Sequence, residues 1–103
     1  MKEIMNELNA IFTKYPHFLE RTVYPYNFPV KASEMMERAK DYDLCEPISK
    51  AILRDEMRGL LRIAKKWKDT EENGVQITFN DGRTMIYDKE IAALAVKQGI
   101  AHY

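Results

Sequence analysis

The chain has 103 residues, one cysteine, and 16 basic against 16 acidic side chains, which cancel at neutral pH. That length predicts one domain over residues 1–103 and excludes two, and the charge balance leaves no whole-molecule field to draw DNA, RNA or anionic lipid. Cys45 alone rules out an internal disulfide and fits a reducing compartment.

No apolar run approaches the roughly 18 residues of a membrane span. The start MKEIMNELNAIF is also too charged for a signal peptide. The expectation is a complete cytoplasmic protein that does not enter a membrane.

Residues 2–15 place Ile4, Met5, Leu8, Ile11, Phe12 and Tyr15 at three-four spacing. This predicts a two-faced helix stopped by Pro16. Its narrow stripe suits packing onto its own domain or a seam between copies, since both need the same chemistry.

The segment YPHFLERTVYPYNFPV, residues 15–30, carries prolines at 16, 25 and 29 among Tyr15, His17, Phe18, Tyr24, Tyr26 and Phe28. The prolines forbid a long helix, so a long loop is expected. Such a loop is uncommon in a compact domain unless it packs or functions. In a packing role, Phe18, Leu19, Val23 and Phe28 are pegs that close one end of the core. In a functional role, Tyr24, Tyr26 and His17 form an exposed aromatic surface, since tyrosines offer large contact area with few rotors and suit either a protein hot spot or base stacking. His17 has only His102 as a fellow histidine, and no metal-ligand spacing surrounds it.

Residues 30–42 repeat Ala32, Met35, Met36, Ala39 and Tyr42 at helical spacing, with Glu34, Glu37, Arg38 and Lys40 opposite. Asp41 to Asp43 makes a polar joint into the central stretch, Cys45 to Asp69. There Asp43 and Glu46 have capping-box spacing, and Pro47 is tolerable only in a first turn. Ile52, Leu53, Met57, Leu60, Ile63, Ala64 and Trp67 fall on one broad face of this helix.

Two features depart from a plain amphipathic pattern. Glu56 projects within the apolar face, where an unpaired carboxylate costs several kcal/mol, on the order of the charge-burial penalty. It must bond a Tyr hydroxyl, Lys or Arg of another element, or line a pocket or subunit interface. Arg54, Arg58, Arg62 and Lys65 form a row about 16 Å long on a second face. The row is either an ordinary solvated surface with local pairing to Asp55 or a track for a phosphate backbone or acidic partner.

DTEENG reads as a polar breaker, and VQITFNDGRTMIYD, about residues 75–87, as a β-hairpin. A two-residue Asp81-Gly82 turn sets Phe79 against Thr84 and Ile77 against Ile86. Ile86 then shares the inner face with Val75, Ile77 and Phe79. A three-residue loop instead turns Met85 and Tyr87 inward. The open hairpin edges are candidates for strand pairing with another chain. Asp88 is positioned to cap a helix over Lys89 to Gln98 with Ile91, Leu94 and Ala95 inward. Gly99 fits the left-handed position after it, and Ala101-His102-Tyr103 reads as a mobile tail.

The four glycines are scattered, so no phosphate loop forms, and no CxxC, HExxH, EF-hand or nucleophile-elbow spacing occurs. Cys45 or Glu56 acting with His17 rests on no motif. No metal, cofactor or catalytic residue is therefore assigned.

The fold expectation is α+β: three N-terminal helices, a β-hairpin and a short C-terminal helix. The functional expectation is a small non-enzymatic accessory protein, regulatory or inhibitory and of bacterial or phage type, acting on a protein partner. Its candidate surface is Tyr24, Tyr26 and Phe28, with Arg54, Arg58 and Arg62 for charge complementarity. The alternative is nucleic-acid or anionic-nucleotide binding along Arg54, Arg58, Arg62 and Lys65, with His17 or Tyr26 stacking. A homo-oligomer built through the first helix or the hairpin edge is the third reading.

Overall fold

The computed structural model describes residues 1–103. The fold is α+β, with four helices and two small antiparallel sheets. The chain gathers into two compact units, Met1–Lys65 and Lys66–Tyr103, and the boundary falls inside a helix.

In the first unit, α1 (Lys2–Lys14) buries Leu8, Ile11 and Phe12, the centre of the expected stripe. Tyr15 leaves helical geometry at φ −127°, ψ 70°, and Pro16 opens a 3-10 turn, Pro16–Glu20, that packs on α1. Phe18 of that turn is fully buried, stacked on Tyr15 at 4.9 Å and covered by the Arg21 guanidinium at 4.6 Å.

The expected long loop is shorter than the prolines suggest. Two short strands, β1 (Thr22–Val23) and β2 (Val30–Lys31), pair antiparallel and leave only residues 24–29 between them. This pairing also takes Val30 and Lys31 out of the expected 30–42 helix, so α2 spans Ala32–Ala39. Ala32, Met35 and Ala39 are its buried residues. Of the four expected core pegs, Phe18 and Val23 are buried, Leu19 is half-buried and Phe28 is exposed.

α3 spans Pro47–Asn73, four residues past the expected end. Glu71 and Glu72 are good helix formers, and Asn73 donates to Asp69 Oδ1 at 2.9 Å one turn back. The Asp43 cap does not form, because Asp43 lies inside a 3-10 turn, Tyr42–Leu44. The first helical carbonyl is that of Glu46, which accepts from the Lys50 N–H at 2.8 Å. The buried face of α3 is Leu53, Glu56, Met57, Leu60, Leu61 and Ala64. Ile52 and Ile63, placed inward from sequence, flank that face and stay exposed, while Leu61 is inside.

In the second unit, β3 (Val75–Phe79) pairs with β4 (Thr84–Tyr87) as the expected hairpin, but in the shifted register. Ile77 faces Met85, and Gln76 faces Ile86. The loop is three residues long: the Phe79 N–H donates to the Arg83 carbonyl at 2.8 Å, and Gly82 adopts φ +90°. Asp81 selects this loop by accepting from the Arg83 N–H at 3.1 Å and from Arg83 Nε at 2.7 Å. A turn closed by a glycine in left-handed geometry is the usual three-residue hairpin loop. Met85 and Tyr87 therefore share the face of Ile77, and Ile86 is on the other.

α4 (Lys89–Lys97) begins as expected, with Asp88 Oδ1 accepting from the Ile91 N–H at 2.9 Å. Its inward residues are Ala92 and Ala95, not Ile91 and Leu94. The methyl side chains let the helix close on Ile77 and Ala101. Gly99 takes φ +76°, with its N–H on Val96 O and the Ile100 N–H on Ala95 O, a left-handed helix stop. That stop redirects the chain, so the tail is not free: β5 (Ala101–His102) pairs antiparallel with β3, giving the order β4-β3-β5. No helix is long and apolar enough to cross a membrane.

Candidate functional site

Loop 24–29 brings together the three aromatic residues singled out from sequence. Val23, just before it in β1, is buried, while Tyr24, Tyr26 and Phe28 are 66%, 58% and 74% exposed. Pro25 and Pro29 each fix a backbone torsion and restrict the residue before them, which limits how far the loop can collapse onto the core. Three large apolar surfaces left in water on one six-residue loop are an informative departure from burial.

The loop is fastened to α3 through Glu56. The Tyr26 hydroxyl donates to Glu56 Oε1 at 2.8 Å, and Arg38 of α2 brings Nη2 to Glu56 Oε2 at 2.9 Å. The Glu56 side chain is 5% exposed and that of Arg38 is 51% exposed. Oε2 receives charge compensation from the guanidinium but no aligned hydrogen bond. The carboxylate acts back on the phenol. As acceptor of the hydroxyl proton, with partial burial and its negative charge adding to the effect, Glu56 holds Tyr26 above the ordinary tyrosine pKa.

Glu56 also forms one wall of a cleft of about 300 Å³, together with Arg38, Asp41, Cys45, Ser49 and Ile52. The Cys45 thiol is turned to the Asp41 carbonyl at 3.3 Å. No three His, Cys, Asp or Glu side chains converge on one point.

The basic row of α3 is largely committed to neighbours. Arg54 Nη2 donates to the Tyr42 hydroxyl at 3.1 Å, and Arg58 pairs with Asp55 at 3.6 Å. Lys65 reaches Glu7 of α1 at 3.3 Å, leaving Arg62 as an exposed cation beside them. His17 lies on the first 3-10 turn, edge-on to Phe18 at 4.7 Å and to Tyr15 at 6.1 Å.

The sequence places Glu56 on the apolar face and offers two readings, a Tyr, Lys or Arg partner from another element or a place lining a pocket or interface. The structure gives it Tyr26 and Arg38 as partners and a cleft at its side. The sequence does not single out Arg38, which reads as one of several cations on the polar side of α2. The available signal was the buried carboxylate itself, which demands a cation of sufficient reach. Comparison with protein-family models, curated proteins and solved structures finds no match to this chain.

Proposed function

We propose that this chain is a small non-enzymatic binding protein, regulatory or inhibitory in effect, that occupies a surface on a protein partner through loop 24–29. The observation that carries this reading is the joint exposure of Tyr24, Tyr26 and Phe28 on a loop tied down by a buried carboxylate. Interface hot spots favour large aromatic groups, and a loop held in place before binding loses less conformational freedom on association. The cations of α3 would supply long-range attraction and orientation. Nucleic-acid binding along α3 has less support, because Arg54, Arg58 and Lys65 are each engaged within the chain.

The test is site-specific photo-crosslinking in the source cells, with benzoylphenylalanine placed at Phe28 and, as a control, at Arg62. A discrete protein adduct is expected from position 28, and from position 62 either the same protein or none. An adduct confined to position 62, or a nucleic-acid adduct from it, would overturn the assignment.

A further inference from the structure

We propose that the open edge of β4 pairs antiparallel with β4 of a second copy of this chain, with the two Met85 residues facing each other across a two-fold axis. β4 is an edge strand of its sheet, and from Thr84 to Tyr87 it carries no charge and no proline. Natural edge strands are usually protected by one of those features.

The hairpin register fixes which backbone groups are offered. Phe79 and Arg83 are a hydrogen-bonded pair, so Arg83, Met85 and Tyr87 turn their N–H and C=O groups toward β3. Thr84 and Ile86 then present theirs at the open edge. With Met85 on the axis, Thr84 of each copy lies opposite Ile86 of the other, which joins those outward groups as hydrogen-bonded pairs.

The side chains agree with this arrangement. Because Ala92 and Ala95 face Ile77, the Ile91 and Leu94 flank of α4 stays half exposed beside Phe79 and Tyr87. These residues border a cleft of about 220 Å³ on the inner face of the sheet. A two-fold through Met85 brings the two inner faces side by side, so each copy covers apolar surface of the other.

The charges at the strand ends select the orientation and the register. Arg83 precedes the neutral stretch and Asp88 follows it. Antiparallel pairing sets Arg83 opposite Tyr87 of the second copy and next to its Asp88. In-register parallel pairing would set Arg83 beside Arg83. An antiparallel slip that puts Ile86 on the axis would set it against Lys89, and one that puts Thr84 there would set it against Met85, away from Asp88.

Light scattering coupled to size exclusion, run over a concentration series, tests this directly. The wild type is expected to approach twice the 12.1 kDa chain mass as concentration rises. Met85→Lys sets like charges opposite each other at an exposed position, so it should stay at one chain mass with an unchanged far-ultraviolet circular dichroism spectrum. Mixing Met85→Lys with Met85→Glu should restore the doubled mass. Ile86→Pro, which removes an outward N–H and no bond to β3, should halve the mass independently.

A single chain mass for wild type at every concentration overturns the proposal and leaves the edge to an extended segment of another protein. A doubled mass that Met85→Lys leaves unchanged also overturns it and puts the contact on another face.

Discussion

Removing Arg38 and removing the charge of Glu56 break the same ion pair, but the structure predicts unequal costs. In Glu56→Gln the charge that disappears is the buried one. The amide can still accept from Tyr26, and the half-exposed Arg38 guanidinium can turn to water. The loss is that of an ion pair with one partner in solvent, about 1 kcal/mol. In Arg38→Ala the buried carboxylate keeps its charge and loses its cation. Breaking a buried pair this way costs roughly 3–5 kcal/mol, and the cleft beside Glu56 admits water, so the low end of about 3 kcal/mol applies.

The double variant Arg38→Ala/Glu56→Gln should recover most of the larger loss, because no buried charge remains. Urea denaturation followed by circular dichroism measures all three variants. Equal losses in the two single variants, or a larger loss for Glu56→Gln, would refute this description of the pair.

Gly74→Ala should destabilise the chain by about 2 kcal/mol in thermal unfolding. A methyl there would run into the Thr70 carbonyl, come within 2.6 Å of Ile86 Cγ2 and within 3.0 Å of the Tyr87 carbonyl. Two of those neighbours are backbone and cannot rotate away. Tyr26 should ionise above the ordinary tyrosine pKa in an ultraviolet pH titration and return toward that value in Glu56→Gln. The sign of the linkage follows: a raised folded-state pKa gives stability that is complete below about pH 10 and is lost as pH rises through the folded pKa. For Asp81 the sign reverses. The Arg83 N–H and guanidinium hold its carboxyl below the ordinary range, so its contribution is present above the unfolded pKa and is lost as pH falls through the folded one. Hairpin amide resonances followed on acidification should weaken in wild type and show a smaller response in Asp81→Asn.

The long helices were legible because their apolar residues recur at three and four, and because Pro16, Asp88 and Gly99 mark ends by backbone chemistry rather than by packing. Glu56 was legible as a problem, since a carboxylate among Leu53, Met57 and Leu60 must find a partner. The identity of Arg38 was not, because several cations have the reach and local spacing does not choose between them.

The two-residue strands β1, β2 and β5 carry too little alternation to register as strands. They exist through pairing between distant residues, such as Phe79 with Ala101. The hairpin slip has a local cause. Asp81-Gly82 suits either loop length, and the bonds from Arg83 to Asp81 settle the longer one. The inward face of α4 went to its alanines because close approach to the sheet favours small side chains over the larger Ile91 and Leu94.

The aromatic loop as binding surface is tested most directly by affinity for the protein captured at position 28, measured for two double variants against wild type. Tyr24→Ser/Phe28→Ser removes exposed rings that bury nothing in the chain's own core. It should weaken binding at least thirtyfold, roughly the loss of one hot-spot anchor. Arg58→Ala/Arg62→Ala should slow association and leave the dissociation rate near that of wild type. Retained affinity in the first variant together with abolished binding in the second would contradict the assignment and move the functional surface to the basic face of α3.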